Sequence, residues 1–483
     1  MTARLQPDAF ARLPRAVQRP AFERSGLQRG IVHLGLGAFA RAHLAVFNDD
    51  ALDAARAESG APWGLTGVSL RHADTRDALT PQQGLYTLAL RDAVGERLRV
   101  IGSVLEVLVA PDDPQAVVER LAHAHTRIVS LTITEKAYRD DAAGSAVSVI
   151  SQGLRLRHAR GLPPITLLSL DNLPANGRVL RSRVLAHADA LGNAALADWI
   201  ATQCSFPCSM VDRIVPRTTD TDRSQISAAL GMQDAWPVVA EPYIDWVLED
   251  RFAAGRPDWP GVHYVASHEA VAAWERLKLR MVNGAHSALA YLSVSAGWAT
   301  VDVALAQPAL RCYLDALLRE EVEPTLTGLV VPANYRERLL SRFANPALAH
   351  RCAQIAMDGS QKVPQRWLAT LRDRLAAGAP IDHLALALAA WLHFLRGHDE
   401  AGQPYAIDDP LATALQALHR DGEALPDARS RADHFTRFAP VFGDLAGESR
   451  LVAALAPALH SLRERGVAAT LSSFDPHSTQ AHP

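Results

Sequence analysis

The chain has little cysteine, no long apolar run and no excess of one charge. Only four cysteines occur in 483 residues, and none belongs to a Cys-x-x-Cys pair. Such a pattern is typical of a reducing cytoplasm, so we expect a cytoplasmic protein with no zinc or other metal site. The longest apolar stretch, residues 384–395, is too short to cross a bilayer and predicts a buried helix.

The charge balance argues against polyanionic partners. The chain carries 49 basic and 52 acidic residues, for a net charge of -3. We therefore expect neither nucleic acid nor a membrane as a partner, and favour a small-molecule ligand. The start of the chain also lacks the apolar core of a signal peptide. At this length, two large domains or three smaller ones are expected.

The first half alternates strand-like and helix-like segments. An apolar strand, IVHLGL, runs into Gly35-x-Gly37-x-x-Ala40 and then a helical segment, which is the context of a dinucleotide-binding turn. A plain glycine turn between strand and helix is the alternative. Asp74 follows the second strand and could bind an adenosine ribose, although it lies further from the glycines than is usual. An ordinary exposed loop aspartate is the alternative there.

Later strands end in polar residues. Residues 128–133 are followed by Glu135 and Lys136, and the strand near 165–170 is followed by Asp171 and Asn172. In parallel sheets, ligands bind beyond such carboxyl ends, although Asp171 and Asn172 could instead only cap the next turn. We predict an α/β, Rossmann-like N-terminal domain with a mostly parallel sheet over residues 1–270. Helical periodicity predicts an all-α domain over residues 271–483.

The segment KLRMVNGAH, residues 278–286, places three polar groups in a predicted helix. On an α-helical wheel of about 100° per residue, Asn283 lies about 140° and His286 about 80° from Lys278. Glu275 lies about 60° from the lysine, so all four residues share one side. The spacing indicates a site, with a solvated helix face as the alternative.

Alcohol oxidation would give these groups complementary roles. The reaction needs a base for the hydroxyl proton, and a lysine with a pKa lowered by burial can serve. The oxygen needs hydrogen-bond donors, which Asn283 supplies, and His286 can orient it. None of the tyrosines has a lysine four residues later, so Lys278 is the best candidate base if the protein is a dehydrogenase.

The sequence resembles the polyol-specific long-chain dehydrogenases, a family that includes mannitol 2-dehydrogenase and fructuronate reductase. Matching segments occur in order along nearly the whole chain. They are IVHLGLGAFARAH, SLTITEKAY, SLDNLPANG, FPCSMVDRIVP, EPYIDWVLED, LKLRMVNGAH and RFANPALAHRCAQIAMDGSQKVPQR.

The resemblance implies an NAD-dependent, zinc-independent oxidoreductase and a role for each matching residue. Lys278 is the implied base, Asn283 and His286 complete its motif, Asn172 is a second amide donor, and Glu275 passes the proton to solvent. Asp74 corresponds to the acid that favours NAD over NADP. The residues implied in cofactor binding are Gly35, Gly37, Phe39, Asp74 and Glu135, and those implied in substrate binding are Asp212, Lys362, Lys136 and Arg366. Without the resemblance, Asp212 could form a buried ion pair with Arg213, and Lys362 could be a surface charge.

Two positions favour a sugar acid as substrate. Lys136 stands where mannitol dehydrogenases resemble TITEGGY, and Gln354 replaces an arginine that they place near the sugar hydroxyls. A carboxylate needs a cation, and Lys136, Lys362 and Arg366 are candidates. We therefore expect D-mannonate and D-fructuronate as the substrate pair, as in fructuronate reductase. The alternatives are D-mannitol and D-fructose, another polyol, or a nucleotide-binding regulator that has lost catalysis.

Overall fold

The chain divides into two units. The computed structural model describes residues 3–55, 63–133, 137–138, 144–328 and 331–473. The first unit covers Met1–Ala272 and the second covers Ala273–Pro483. Helix α9, His268–Leu277, contains the division between them.

The strands all lie in the first unit as far as the described residues extend. They are β1 Gln28–Leu34, β2 Trp63–Ser69, β3 Tyr86–Asp92, β4 Gly95–Ile101, β5 Val104–Val109, β6 Ile128–Leu131, β7 Thr166–Ser169, β8 Ser209–Asp212, β9 Val238–Ala240, β10 Asp245–Glu249 and β11 His263–Val265.

Five of these strands form a parallel sheet in the order β5-β2-β1-β6-β7. The chain builds outward from β1 to β2 and β5, and then returns to place β6 on the other side of β1. The strand order therefore reverses between β1 and β6, and ligands of open α/β sheets bind at the carboxyl ends of the strands beside such a reversal. This sheet confirms the Rossmann-like prediction.

Apolar side chains cover both faces of the parallel sheet, as its buried strands require. Ile31 and Ile128 belong to one core cluster, which also contains Phe47 and Trp246. Their neighbours Val32 and Val129 point to the opposite cluster, which includes residues of the helices Pro114–Leu121, Ala146–Ala159 and Asn176–Ala190. The near-continuous apolar runs of these strands follow from burial on two sides.

Two smaller sheets complete the first unit. One has the order β4-β3-β9, with an antiparallel β3–β4 pair, and the other has the order β11-β10-β8. The apolar run 97–110, which reads as one strand in the sequence, contributes to β4 and contains β5, and these strands lie in different sheets. The strand predicted over 128–133 ends at Leu131.

Helices fill the rest of the first unit. They are α1 Ala38–Ala42, α2 Leu44–Ala54, α3 Asp74–Leu79, α4 Pro114–Leu121, α5 Ala146–Ala159, α6 Asn176–Ala190, α7 Ala194–Gln203 and α8 Asp220–Leu230. Pro114 and the Asp113 side chain, which accepts a hydrogen bond from the Ala116 amide, begin α4 as helix-start rules predict.

The second unit is helical in its described part and surrounds one apolar core. The predicted buried helix is α17, whose Leu384–Phe394 segment is buried throughout. No helix in the described residues is both long and apolar enough to cross a membrane. The α-helices are α10 Gly284–Ala296, α11 Val301–Leu305, α12 Pro308–Ala316, α13 Tyr335–Phe343, α14 Cys352–Ile355, α15 Gly359–Val363, α16 Ala369–Ala376, α17 Asp382–Phe394, α18 Ala412–Glu423, α19 Ala428–Thr436, α20 Ala439–Phe442 and α21 Ser449–Ser472.

Three segments in the described part of the second unit are π-helical. They are Lys278–Asn283, Leu317–Val322 and Pro364–Leu368. The first separates α9 from α10, so the single α-helix expected over this stretch is instead an α–π–α arrangement.

Candidate active site

The turn after β1 requires glycine at position 35. Gly35 has a φ of +87°, and a Cβ at this position would lie 2.2 Å from the carbonyl oxygen of Thr132. Thr132 directly follows β6, the neighbour of β1. The absence of a side chain thus lets the ends of the two strands approach closely at the point where the strand order reverses.

A buried hydrogen-bond chain fixes this turn. The Thr132 hydroxyl donates to the carbonyl oxygen of Gly35 at 2.8 Å, while His33 Nε2 lies 3.0 Å from Thr132 Oγ1 and His33 Nδ1 lies 2.9 Å from Ser130 Oγ. Burial lowers the pKa of His33 to about 3, so its ring is neutral. Because the Thr132 proton is already donated, the network assigns the single ring proton to Nε2.

Gly37, unlike Gly35, lies beside open space. A Cβ on Gly37 would meet no atom nearer than the Gly35 carbonyl oxygen, at 3.8 Å. The space belongs to a cavity of about 550 Å³, a size suited to a small-molecule ligand. Its lining includes Gly35, Leu36, Gly37, Ser69, Leu70, Arg71, His72, Asp74, Thr75, Thr132, Ile133, Ala137, Gly144, Ser145, Ala146 and Trp236. The glycine turn and the predicted ribose-binding Asp74 therefore share one cavity, and both fit a dinucleotide.

Phe39, predicted as a cofactor contact, lies two residues after Gly37 and faces the core. Its ring stacks on His43 with centroids 5.1 Å apart and packs against the core. His43 also breaks the helix after the turn, with φ of -124° and ψ of -87°, so α1 has only five residues. Phe39 is not among the residues that line the cavity, and its part in cofactor binding stays a prediction.

Two basic residues of the cavity were missed by the sequence analysis. Arg71 and His72 follow the end of β2, and both are exposed and line the cavity together with Asp74, the first residue of α3. The available signal was the stretch SLRHAD, in which two basic side chains stand between the strand end and the acid.

Asp171 and Asn172 differ in their surroundings at the end of β7. The buried Asp171 carboxylate accepts hydrogen bonds from the Ile133 amide at 2.9 Å and the Tyr138 hydroxyl at 2.7 Å. Asp171 therefore ties the end of β7 to the segment after β6. Asn172 is exposed beside it. The Asp171 carboxylate therefore has partners distant in sequence and does more than cap the next turn.

The neighbouring residues Asp212 and Arg213 also differ in their surroundings. Asp212 is buried at the end of β8, opposite Asp245 of β10. Burial, with a further contribution from the charge of Asp212, raises the pKa of Asp245. The Arg213 guanidinium donates to the carbonyl oxygens of Glu241, at 2.8 and 3.0 Å, and of Ala42.

The Lys278–Asn283 segment is a π-turn, a conformation that is rare and frequently marks functional sites. Its hydrogen bonds join residues five apart, so Lys278 and Asn283 lie on successive levels of one side instead of the wider separation given by an α-helical wheel. Both side chains, and that of Glu275, are partly buried. Arg366 Nη1 donates to the Asn283 carbonyl oxygen at 3.2 Å, and Trp367 Nε1 donates to that of Gly284 at 3.1 Å. These donors satisfy carbonyl groups where the helix pattern changes.

His286 offers an unused polar atom. Its ring stacks on Phe343 at 4.4 Å and lies edge-on to His350 at 5.3 Å. Burial, followed by the charges of His350 and three basic side chains, lowers the pKa of His286 well below its ordinary value, so the ring is neutral. Among the described residues, its buried Nε2 atom has no hydrogen-bond partner. It is one of several such buried side-chain atoms in the described residues, and a ligand oxygen would satisfy it.

Lys362 and Arg366 are among the charges that act on His286. Burial and the charge of Arg366 lower the pKa of Lys362 to about 8, and its ammonium donates to the Ile355 carbonyl oxygen at 3.2 Å. Arg366 also donates to Ser287 Oγ at 2.6 Å, so its guanidinium holds α10 and the π-turn together. The structure therefore gives Arg366 protein partners.

Two predicted residues, Glu135 and Lys136, lie outside the described residues. Within the described ranges, no group of three or more His, Cys, Asp or Glu residues is arranged to hold a metal ion.

Two family models together match most of the chain. The model for the mannitol dehydrogenase Rossmann domain matches residues 29–261. The model for the mannitol dehydrogenase C-terminal domain matches residues 270–463.

Individual relatives agree with these matches. A mannitol 2-dehydrogenase of Pyrenophora tritici-repentis is 37% identical over 486 residues, covering 95% of this chain and 84% of the relative. The structure of Pseudomonas fluorescens mannitol 2-dehydrogenase in a ternary complex with NAD and D-mannitol has 36% identity and a TM-score of 0.81, covering 98% of this chain and 99% of that one. A substrate-free D-sorbitol dehydrogenase has 32% identity and a TM-score of 0.86, covering 98% and 100%.

Proposed function

Because this chain belongs to the mannitol dehydrogenase family, we propose that it is an NAD-dependent oxidoreductase that interconverts a polyol and the corresponding ketose. D-mannitol and D-fructose are the leading pair. The named relatives support this alternative better than the expected D-mannonate and D-fructuronate. The proposal includes a cytoplasmic location, independence from zinc, and a domain boundary near residue 270.

The cavity of the first unit is the proposed NAD site. Gly37 leaves space beside the turn, Gly35 lets the strand ends approach, and Asp74 can accept hydrogen bonds from ribose hydroxyls. NAD, when bound, supplies the hydride acceptor for alcohol oxidation.

Lys278 is the proposed general base. It would accept the hydroxyl proton, and Glu275, one helical turn earlier, would pass that proton on. Asn283, brought to the same side by the π-turn, would donate a hydrogen bond to the reacting oxygen. Asn172 is the second amide donor that the resemblance implies, and Asp212 is an implied substrate contact.

The observation that carries the catalytic assignment is the π-turn over Lys278–Asn283, whose residues five apart fall on one side of the helix and include the proposed base and the amide donor. The buried Nε2 atom of His286, which has no partner in the described part of the chain, agrees with this assignment. His286 lies three residues after Asn283, on the next turn of α10. A neutral imidazole can donate one hydrogen bond, and a substrate oxygen is the acceptor that this chemistry provides. If the chain were a nucleotide-binding regulator that has lost catalysis, this atom would have no ligand to bind.

A sugar acid is the second candidate substrate because positive charge surrounds His286. Arg342, Lys362 and Arg366 all contribute to lowering its pKa. A carboxylate entering this region would gain from these cations. Arg366 is already bonded to Ser287 and Asn283, however, which reduces its availability for a ligand.

The test is a comparison of kcat/KM with NAD(H) for D-mannitol, D-fructose, D-sorbitol, D-mannonate and D-fructuronate. We expect D-mannitol and D-fructose to give the highest values. A clear preference for D-fructuronate would establish the sugar-acid alternative instead. Cofactor binding without turnover of any of these substrates would favour the nucleotide-binding regulator.

A further inference from the structure

The cavity assigned to NAD contains two basic side chains that have no role in the proposed function. Arg71 and His72 are exposed and line the cavity just beyond the end of β2. Within the described residues, neither side chain makes a hydrogen bond or an ion pair. Each therefore has donors available to a ligand.

A nearby arginine shows the contrast. Arg76, in α3, donates to the carboxylates of Asp77, at 2.8 Å, and of Asp112. It is absent from the cavity lining. Arg71 and Arg76 carry the same charge, but of the two only Arg76 has carboxylate partners among the described residues.

The position of Arg71 suggests which ligand group it meets. In dinucleotide-binding sheets, the residues after the second strand recognise the adenosine ribose, with an acid on the 2′-hydroxyl of NAD or an arginine beside the 2′-phosphate of NADP. This cavity contains both kinds of residue, Asp74 and Arg71. A guanidinium binds phosphate through two parallel hydrogen bonds, whereas water and salt screen repulsion from an exposed carboxylate.

We propose that Arg71, assisted by His72, enables this enzyme to bind NADP(H) as well as NAD(H), an inference that rests on the proposed function. Arg71 pairs with the 2′-phosphate of NADP(H), and Asp74 serves the ribose of NAD(H). Asp74 alone would favour NAD(H), so binding of NADP(H) depends on Arg71, which offsets the acid at the 2′-phosphate.

The experiment titrates NADH and NADPH into wild-type, Arg71→Ala and Arg76→Ala proteins and follows the quenching of protein fluorescence. Trp236 lines the cavity and provides a local reporter. We expect wild-type Kd values for the two cofactors within about tenfold of each other. Arg71→Ala should raise Kd for NADPH by about tenfold or more and change that for NADH by less than about threefold. Arg76→Ala is the charge-matched control and should change neither.

Two results would overturn the inference. One is a wild-type protein that binds NADH but excludes NADPH by more than about a hundredfold, which leaves the proposed function intact. The other is an Arg71→Ala variant that weakens both cofactors equally. Failure of NADH itself to bind would instead contradict the proposed function. Thermal unfolding of each variant checks that the substitutions leave the fold unchanged.

Discussion

The pKa of the Lys362 side chain lies near the physiological pH range. Burial lowers its pKa to about 8, and the charge of Arg366 adds to this effect, although Asp358 opposes it. The side chain is therefore mostly an ammonium at neutral pH and loses its proton as the pH rises through about 8. The free amine has one fewer proton to donate and no positive charge to attract substrate oxygens.

We predict that KM for D-mannitol rises as the pH increases through about 8. The charged Lys362 would hold substrate hydroxyls, and its deprotonation removes that contact. In Lys362→Arg the guanidinium stays charged, so the rise should disappear. The measurement is KM against pH at saturating NAD. The same rise in both proteins would show that another group titrates.

Sequence spacing predicted the polar residues of the second unit but not their surroundings. Lys278, Asn283 and His286 could be identified because they lie within nine residues of one another. The neutral state of His286 depends on burial and then on the charge of His350, and the ring stacks on Phe343. Both residues are distant in sequence. Local spacing contains no information about such partners.

At the scale of elements, the strand–turn–helix unit separates two functions of glycine. Gly35 has a left-handed backbone and no room for a Cβ, whereas Gly37 has a φ of -83° and open space beside it. The first glycine serves the fold, and the second serves the ligand.

We predict that Gly35→Ala and Gly37→Ala have different effects. Gly35→Ala should destabilise the protein by about 1–3 kcal/mol or more, because it adds backbone strain and a clash with the Thr132 carbonyl oxygen. Gly37→Ala should change stability by less than about 0.5 kcal/mol but weaken NADH binding, because its methyl group projects into open space beside the turn. Urea unfolding and NADH titration measure both effects. A Gly37→Ala variant that binds NADH as tightly as wild type would contradict this division.

The geometry of the π-turn involves residues that are distant in sequence. Lys278–Asn283 has ordinary α-helical periodicity in sequence, which predicts a continuous helix. The structure places Arg366 and Trp367, 83 positions away, as donors to the carbonyls of Asn283 and Gly284. A sequence wheel could therefore identify the residues of this turn but not their relative angle.

At the scale of the whole molecule, the sequence predicted the fold class and the cofactor more fully than the substrate. Alternation of strands and helices, followed by helical periodicity, sufficed for the parallel sheet and the helical second unit. The apolar run 97–110 reads as a single strand, but its two parts belong to β4 and β5 in different sheets, which only tertiary pairing determines. The expected sugar-acid preference depended on Lys136, which lies outside the described residues, and on Gln354, which is exposed.

The central claim, that Lys278 is the base of an NAD-dependent polyol oxidoreductase, is tested most directly by NADH formation from D-mannitol in wild-type and Lys278→Met proteins. NADH binding and thermal unfolding are measured on the same samples, so that lost folding or cofactor binding is recognised. We predict that the variant binds NADH normally but loses about 10²–10⁴-fold in turnover, the usual contribution of a general base. Turnover within about tenfold of wild type would contradict the account.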